Sequence, residues 1–288
     1  MKKFVIIYVL LFSFTSSIFS QSKDSSKLEK IMGKKGIVKD NIVRFNFPRT
    51  DLDVKVGDIT IEPAFALTTW VAFQTMMKTS MVMGDLVLLE NEALKVIPSL
   101  ISSGIHVTAI HNHLLTEKPK IIDSHIEAVG NAEQLCEKIK NILSLTNTPL
   151  TNSSQSNNNI EIDWSNVEKT IGYTGNKNGN IISFGIPRKE TIKENKMILP
   201  PIMGTAISIN FQKVGDSAIV TGDFVLLAKE VEPVEDALTK AGIVVTALHT
   251  HMITEQPKLY FMHFWANSDP VKLADGLKTA IMETNSVS

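Results

Sequence analysis

Residues 108–113 read TAIHNH and residues 246–251 read TALHTH, with two histidines at matching places in each stretch. The offset between the stretches is 249 − 111 = 138. The same offset relates GDLVLL at 84–89 to GDFVLL at 222–227. Roughly half of the positions in this part of the chain are identical, and a repeat of this length predicts tandem domains, not a solenoid.

The amino-acid composition of two segments predicts where each copy begins and ends. Residues 1–20 have a basic start, an apolar run and small polar residues, which is typical of a cleaved signal peptide. A stretch rich in Ser and Asn at 149–160 predicts a flexible linker. We therefore predict a first repeat domain at 22–148, the first copy, and a second at 161–288, the second copy, each folding alone.

Composition also excludes several classes of function. The formal net charge is −1 and the sequence has no tract of Lys or Arg, so nucleic-acid binding is not expected. The single cysteine, Cys136, excludes an internal disulfide. The apolar run near the N-terminus is too short to span a bilayer. We predict an exported protein, periplasmic or secreted, that has no membrane span after signal cleavage.

Hydrophobic periodicity predicts the same order of elements in each copy. In the first copy a helix at 92–102 has apolar residues at helical spacing, Gly104 is placed to end it, and Asn131 is placed to cap the last helix. Strands are predicted at 64–73, 81–89, 105–115 and 120–129. The fold class is α+β: two tandem copies of an antiparallel sheet with helices on one face, around a β-β-α-β-β-α core.

Six of the seven histidines fall at equivalent positions of the two copies. His111 and His113 face the same way because side chains alternate along a strand. A hairpin centred on Pro119 would place His125 opposite His113, since 113 + 125 = 2 × 119. Each copy is therefore predicted to gather its own three imidazoles: His111, His113 and His125 in the first, and His249, His251 and His263 in the second.

Three imidazoles at this spacing are typical ligands of a divalent metal ion, with Zn²⁺ first and Cu, Fe or Ni as alternatives. A fourth coordination position would stay open to water or substrate. Two other interpretations remain open. One is a small-molecule site lined by neutral histidines, and the other is a structural cluster of packed histidines.

A glutamate follows the histidine pair in each copy. The spacing His111-x-His113-x-x-x-Glu117 copies half of the cupin metal motif, and Glu255 repeats it. Cupins, however, are jelly rolls, whereas this sequence predicts helices. We predict that Glu117 either is a fourth metal ligand, supports the ligands or is a solvated turn residue, and that Glu255 repeats its role.

The two copies differ beside His125. Alternation places Asp123 and Glu127 on its face of the strand, where the second copy has Phe261 and Trp265. Carboxylates near a metal orient its ligands or accept protons. We therefore predict the first copy as the catalytic one, with Glu127 as base and Asp123 in support. The alternative is that both are solvated edge-strand charges.

Two further residue pairs repeat. Asp85 and Asp223 each follow a glycine and are predicted to cap a turn or bulge at the start of a strand. Arg49 and Arg188 each follow a proline, and they fit either an anion site or a surface ion pair.

The sequence resembles the LppY/LpqO-like exported proteins, a domain of unknown function. The resemblance rests on PRTDL at 48–52, WVAF at 70–73, MGDLVL at 83–88 and TAIHNHLL at 108–115. It implies export and duplication of the domain, and it brings no assigned reaction. The sequence departs from a lipoprotein pattern because no cysteine stands near the predicted cleavage point.

Three functions are compatible with these features. The first is a metal-dependent hydrolase, because a metal ion held by three histidines lowers the pKa of its bound water. The second is a non-catalytic extracytoplasmic binding module for a metal ion or a small ligand. The third is a structural or interaction protein with packed histidines. The sequence has no Gly-x-Ser-x-Gly motif, which disfavours a serine nucleophile.

Overall fold

The computed structural model describes residues 25–76, 79–151 and 162–287. The predicted signal peptide at 1–20 and most of the predicted linker, from 152 to 160, lie outside these residues. Within them, each copy forms an antiparallel sheet of six strands with helices against it. The predicted α+β class, with two tandem copies, is confirmed.

The elements of the first copy follow the predicted order, with a small additional sheet inserted. In chain order they are α1 (25–32), β1 (Ile37–Lys39), β2 (Ile42–Pro48), β3 (Val54–Val56), β4 (Ile59–Ile61), α2 (Pro63–Ala66), β5 (Thr68–Met76), β6 (Thr79–Leu89), α3 (Glu90–Ser102), β7 (His106–His111), β8 (Glu117–Lys118), β9 (Ile121–Gly130) and α4 (Ala132–Leu143). The main sheet has the order β1-β2-β5-β6-β9-β7, and β4-β3-β8 form the small sheet.

The second copy repeats this arrangement. Its elements are α5 (Ser165–Ile171), β10 (Asn176–Asn178), β11 (Ile181–Ile186), β12 (Lys193–Glu194), β13 (Met197–Ile198), a 3-10 turn (Pro201–Met203), β14 (Ile207–Val214), β15 (Ser217–Leu226), α6 (Ala228–Lys240), β16 (Val244–His249), β17 (Tyr260–Ser268) and α7 (Pro270–Met282). The main sheet has the order β10-β11-β14-β15-β17-β16, and β12 pairs with β13.

Local signals in the sequence placed the helix ends of the first copy. Gly104 has a φ of 76° just after α3, as its predicted role requires. The Asn131 side chain accepts a hydrogen bond from the backbone N–H of Gln134 at the start of α4. The predicted strand at 64–73 is partly wrong, because its first residues form the short helix α2 before β5 begins.

Arg49 and Arg188 hold the start of one helix in each copy. The Arg49 guanidinium is fully buried and donates two hydrogen bonds to Glu92 of α3, at 2.9 and 3.0 Å. Arg188 makes the same pair of bonds to Glu230 of α6. These are bidentate ion pairs inside the fold. Of the two alternatives left open by the sequence, an anion site and a surface ion pair, the ion pair is found, but it is buried and not on the surface.

The two faces of each main sheet have different partners. Along β6, Val82 and Leu86 pack in one core with Val96 of α3 and Ile139 of α4. Met83, on the opposite face, belongs to a core formed mainly by the second copy. The helices therefore cover one face, and the other copy covers the opposite face.

Hydrogen bonds and apolar contacts join the copies reciprocally. The Gln212 side chain donates to the Thr60 carbonyl at 2.7 Å, and Gln74, its equivalent in the first copy, donates to the Ile198 carbonyl at 3.0 Å. Val87 shares a core with Ile219. We predicted that each copy folds alone on its own core, but this shared core argues against independent folding.

Within the described residues, every helix is too short or too polar to cross a lipid bilayer.

Candidate metal centre

The six repeated histidines meet in one cluster between the copies, which we call the histidine cluster. Each ring of the first copy lies against one of the second, with ring centroids 3.7 Å apart for His111 and His249, 3.6 Å for His125 and His251, and 4.1 Å for His113 and His263. The sequence predicts a separate site in each copy. The predicted separation is wrong, because the sheet face that carries the histidines is the face that meets the other copy.

The hairpin before His125 has a different register from the predicted one. Ala109 pairs with His125 and His111 pairs with Asp123, so the centre lies at residue 117 and not at Pro119. A register shift between Val107 and Ala109 interrupts the pairing of β7 with β9. His113 lies beyond the end of β7, in a loop, and its backbone N–H donates to the Asp123 carboxylate at 3.2 Å.

Reciprocal hydrogen bonds hold the two histidine loops together. The Thr108 hydroxyl donates to the His251 carbonyl at 2.6 Å. The Thr246 hydroxyl, 138 residues later, donates to the His113 carbonyl at 2.7 Å. The threonine in front of each histidine pair thus positions the histidine loop of the opposite copy.

Several sets of three histidines have nitrogen atoms close enough to share an ion. In each set the atoms lie within 4.8 Å of one another: His111 with His113 and His263, His111 with His125 and His249, and His249 with His251 and His263. Two of these sets combine both copies. The second copy's predicted triad is among them, whereas the first copy's triad is not among the sets found in the described residues.

Many of the imidazole nitrogens are buried without a hydrogen-bond partner among the described residues: Nδ1 and Nε2 of His111 and His249, and Nε2 of His113, His125, His251 and His263. An unpaired buried polar atom is costly, so a group of them indicates a missing ligand or ion. In His263, Nδ1 is 2.9 Å from the Gly222 carbonyl, which places the proton there and leaves the Nε2 lone pair free.

Burial keeps the histidines in the neutral form that binds metals. It lowers the pKa of His263 to about 3, although the Asp223 carboxylate acts in the opposite direction. Burial, followed by the neighbouring imidazoles, lowers the pKa of His125 and His251 well below the ordinary value. Six neutral imidazoles at neutral pH offer nitrogen ligands without prior loss of a proton.

Asp85 and Asp223 lie beside the histidine cluster, a position that was not predicted from the sequence. We predicted a turn, but both lie inside long strands, with Asp85 paired to His125 and Asp223 paired to His263. Their carboxylates lie 3.6 Å from Nε2 of His113 and 3.2 Å from Nε2 of His251, respectively.

The glycine before each of these aspartates is required by close packing of strands. A Cβ atom on Gly84 would lie 2.6 Å from the Trp70 carbonyl oxygen. On Gly222 it would lie 1.9 Å from the Ser208 carbonyl oxygen. The repeated Gly-Asp pair was therefore the available signal: the glycine marks a tight strand pairing and not a turn.

The structure places Asp123 beside the histidine cluster. It is buried, and its Oδ1 lies 3.6 Å from Nδ1 of His113. At the equivalent position of the second copy, the Phe261 ring stacks on His251 with centroids 3.4 Å apart. The two halves of the cluster are thus chemically different.

Glu127, the predicted base, has partners outside the cluster. Its carboxylate accepts a hydrogen bond from the side chain of Asn195, at the turn between β12 and β13. Burial, followed by the charge of Glu194, raises the pKa of Glu127 to about 7. The equivalent Trp265 packs edge-to-face on Phe65. Both positions contact the opposite copy, which favours a structural role for Glu127 over that of a base.

Glu117 and Glu255 hold turns. Their carboxylates accept the backbone N–H groups of Ile121 and Leu259, at 3.3 and 2.9 Å. Each also pairs with a lysine three residues later. Both are buried, so the predicted turn role fits their contacts, whereas the predicted solvation does not.

Comparison with known proteins gives a family and no reaction. Three solved structures show a distant likeness, and two of them are microcompartment shell proteins. A double-ringed trimeric shell protein of the RMM microcompartment has 12% identity and a TM-score of 0.19, covering 72% of this chain and 84% of its own. EtuB from Clostridium kluyveri has 10% identity and a TM-score of 0.20, covering 88% and 96%. PduB has 10% identity and a TM-score of 0.19, covering 86% and 92%. Scores this low carry no argument for this chain.

No curated protein sequence matches the chain. The model of a family described as Domain of Unknown Function (DUF1259) matches it twice, at residues 26–145 and 165–283. These two matches span most of the sequence, so the chain belongs to this family as a duplicated domain.

Proposed function

We propose that this member of the DUF1259 family is a metal-binding protein whose histidine cluster binds one divalent transition-metal ion between its two copies, with Zn²⁺ as the first candidate. The observation that carries the proposal is the set of buried ring nitrogens without hydrogen-bond partners. Nitrogen-only ligand sets suit Zn²⁺, Cu²⁺, Ni²⁺ and Fe²⁺ better than Ca²⁺ or Mg²⁺.

The alternative of merely packed histidines leaves these nitrogens unexplained. A packed structural histidine normally satisfies its ring nitrogens with backbone or side-chain partners. Within the described residues, His111 and His249 have neither ring nitrogen satisfied, and their rings stack at the centre of the cluster. A bound cation would offset this cost, because it accepts the lone pairs that no donor reaches.

The metal-dependent hydrolase remains a second candidate, supported by one observation. Burial, followed by the charge of Asp223, raises the pKa of Asp85 to about 7, and Asp85 lies 3.6 Å from His113. A carboxyl group with a pKa in this range exchanges protons readily at neutral pH, as a general base must. On this view Asp85, and not Glu127, is the candidate base.

Export is part of the same proposal. The signal peptide predicted at 1–20 and the likeness to LppY/LpqO-like proteins both support a periplasmic or secreted location for this metal-binding module. The intact mass of the protein recovered from outside the cytoplasm checks this, because cleavage near Gln21 is the expected result.

Metal analysis of the untagged protein tests the proposal. We expect about one Zn²⁺ per chain, and weaker binding by at least about tenfold in both His111→Ala and His249→Ala, because one ion uses both copies. The control is His106→Ala, which removes the exposed seventh histidine and should leave binding unchanged.

Two results would contradict the proposal. One is a folded, metal-free protein that takes up no Zn²⁺ on titration. The other is a His249→Ala variant that binds Zn²⁺ with unchanged affinity. That result would mean that the first copy binds the ion by itself, as predicted from the sequence.

A further inference from the structure

A second group of potential ligands lies beside the histidine cluster, on the first copy alone. Asp85, His113 and Asp123 each offer one ligand atom, and these atoms lie within 4.8 Å of one another. We call this group the carboxylate subsite. It shares no residue with the set formed by His111, His125 and His249, so the two groups do not compete for a ligand.

The two carboxylates of this subsite are buried with only part of their hydrogen-bonding capacity used. Asp85 and Asp123 are 5% and 1% exposed, and Oδ1 of each has no hydrogen-bond partner among the described residues. Buried carboxylates are normally paired with a cation or bound to a metal.

The nearest basic side chains are committed elsewhere. Arg44 acts on Asp85 through its charge, but it donates to the Asn46 side chain and to the Ile202 carbonyl. Lys120 acts on Asp123 in the same way, but it pairs with Glu117 at 3.2 Å. A divalent cation would compensate both carboxylates directly.

Two strands and a loop hold the subsite in place. Asp85 lies on β6, and Asp123 lies on the neighbouring β9. His113 is tied to Asp123 through its own backbone N–H. The His113 ring lies between the carboxylates, with Nε2 3.6 Å from Asp85 and Nδ1 3.6 Å from Asp123.

We infer that Asp85, His113 and Asp123 form a second cation site, richer in oxygen than the histidine cluster and selective for a harder divalent ion such as Mn²⁺. Two carboxylates with one imidazole favour such ions over the softer ones that prefer nitrogen ligands. The second copy cannot form the equivalent site, because Phe261 replaces Asp123 and covers His251. The inference rests on the proposed function, since an ion on His111, His125 and His249 leaves His113 free.

Sequential loading of the full-length protein tests the inference. The protein first receives one equivalent of Zn²⁺, and Mn²⁺ is then titrated while electron paramagnetic resonance follows the signal of free Mn²⁺. We expect one further ion per chain to bind, and Asp123→Asn to weaken Mn²⁺ binding by at least about tenfold while Zn²⁺ binding stays within about twofold. Circular dichroism confirms that the isosteric variant is folded.

The matched control is Phe261→Asp, which gives the second copy the missing carboxylate and should add Mn²⁺ capacity. The inference is overturned if the Zn²⁺-loaded protein leaves the Mn²⁺ signal unchanged, or if Asp123→Asn binds Mn²⁺ as tightly as the unmodified protein. A chain that binds Mn²⁺ in an Asp123-dependent way but takes up no Zn²⁺ would instead overturn the proposed function and leave the carboxylate subsite standing.

Discussion

Each half of the histidine cluster has three histidines and one aspartate at equivalent positions. The two halves differ in the side chain that lies next to the second histidine of each pair. In the first copy, Asp123 lies beside His113, and in the second copy Phe261 stacks on His251. The first half therefore has one more buried carboxylate, and the second has an aromatic ring in its place. The difference teaches that the two copies retain the same histidines while the side chains around them differ between charge and apolar contact.

The two copies also differ at one pair of equivalent positions that contact the opposite copy. Glu127 meets Asn195 of the second copy, whereas Trp265 meets Phe65 of the first. Equivalent positions thus make a polar contact on one side and an apolar contact on the other. Both contacts cross the interface, so each copy packs against the other even where their chemistry differs.

Separating the copies should have the largest effect. Residues 22–148 and 160–288, expressed as separate proteins, expose apolar side chains that the intact chain buries in shared cores. We expect neither fragment alone to give a cooperative thermal melt, and we expect mixing them to restore one. If each fragment melts cooperatively alone, with a midpoint near that of the whole protein, the copies are independent after all.

Acid should destabilise the metal-free protein through its histidines. The folded pKa of His263 is about 3, against an ordinary 6.5, so between these values the unfolded chain takes up a proton that the folded chain does not. Stability is therefore lost as pH falls through this window, by about 1.4 kcal/mol per pH unit for each such histidine.

The raised pKa of Asp85, about 7 against 3.8, contributes with the opposite sign, because the folded chain holds that proton first. Comparing the free energy of unfolding of the unmodified protein with that of His263→Gln at each pH removes the contribution of Asp85, which both proteins have. Urea unfolding of the unmodified protein and of His263→Gln, from pH 6.5 to 4, should show the stability of the unmodified protein falling relative to the variant. A difference that stays constant with pH would show that His263 titrates normally in the fold.

Removing the charge of Glu127 should have the smallest effect. Glu127→Gln keeps the shape and can still accept a hydrogen bond from Asn195, so we expect Zn²⁺ affinity within about twofold and stability within about 1 kcal/mol. A matching Trp265→Phe variant tests the other side of the comparison. A hundredfold loss of any hydrolytic activity in Glu127→Gln would restore the base role predicted from the sequence.

Local features of the fold could be predicted from the sequence because their causes are local. Gly104 and Asn131 fix helix ends through their own backbone and side-chain preferences. The convergence of six histidines could not be predicted in this way. It depends on which sheet face meets the other copy, and strand alternation gives two faces without saying what covers each.

The site residues show the same limit. Alternation correctly grouped Asp123 with His125 on one face, but it could not show that Glu127 contacts Asn195 of the other copy. The centre of the hairpin was misplaced because Pro119 was taken as its midpoint, whereas His111 pairs with Asp123 and the connection between them includes β8, which pairs with β3 instead. Asp85 was missed because a glycine in front of an aspartate is more often a turn than a close approach of two strands.

The reciprocal bonds from Thr108 and Thr246 give the interface an approximate two-fold axis, like that of a homodimer. In a true homodimer every substitution appears twice, so a carboxylate on one side of the axis would force a carboxylate on the other. Here both halves belong to one polypeptide, and the partner is held at a high effective concentration whatever the dilution of the protein. Covalent fusion thus frees each half of a symmetric interface to be changed alone, which an asymmetric pair of cation sites requires.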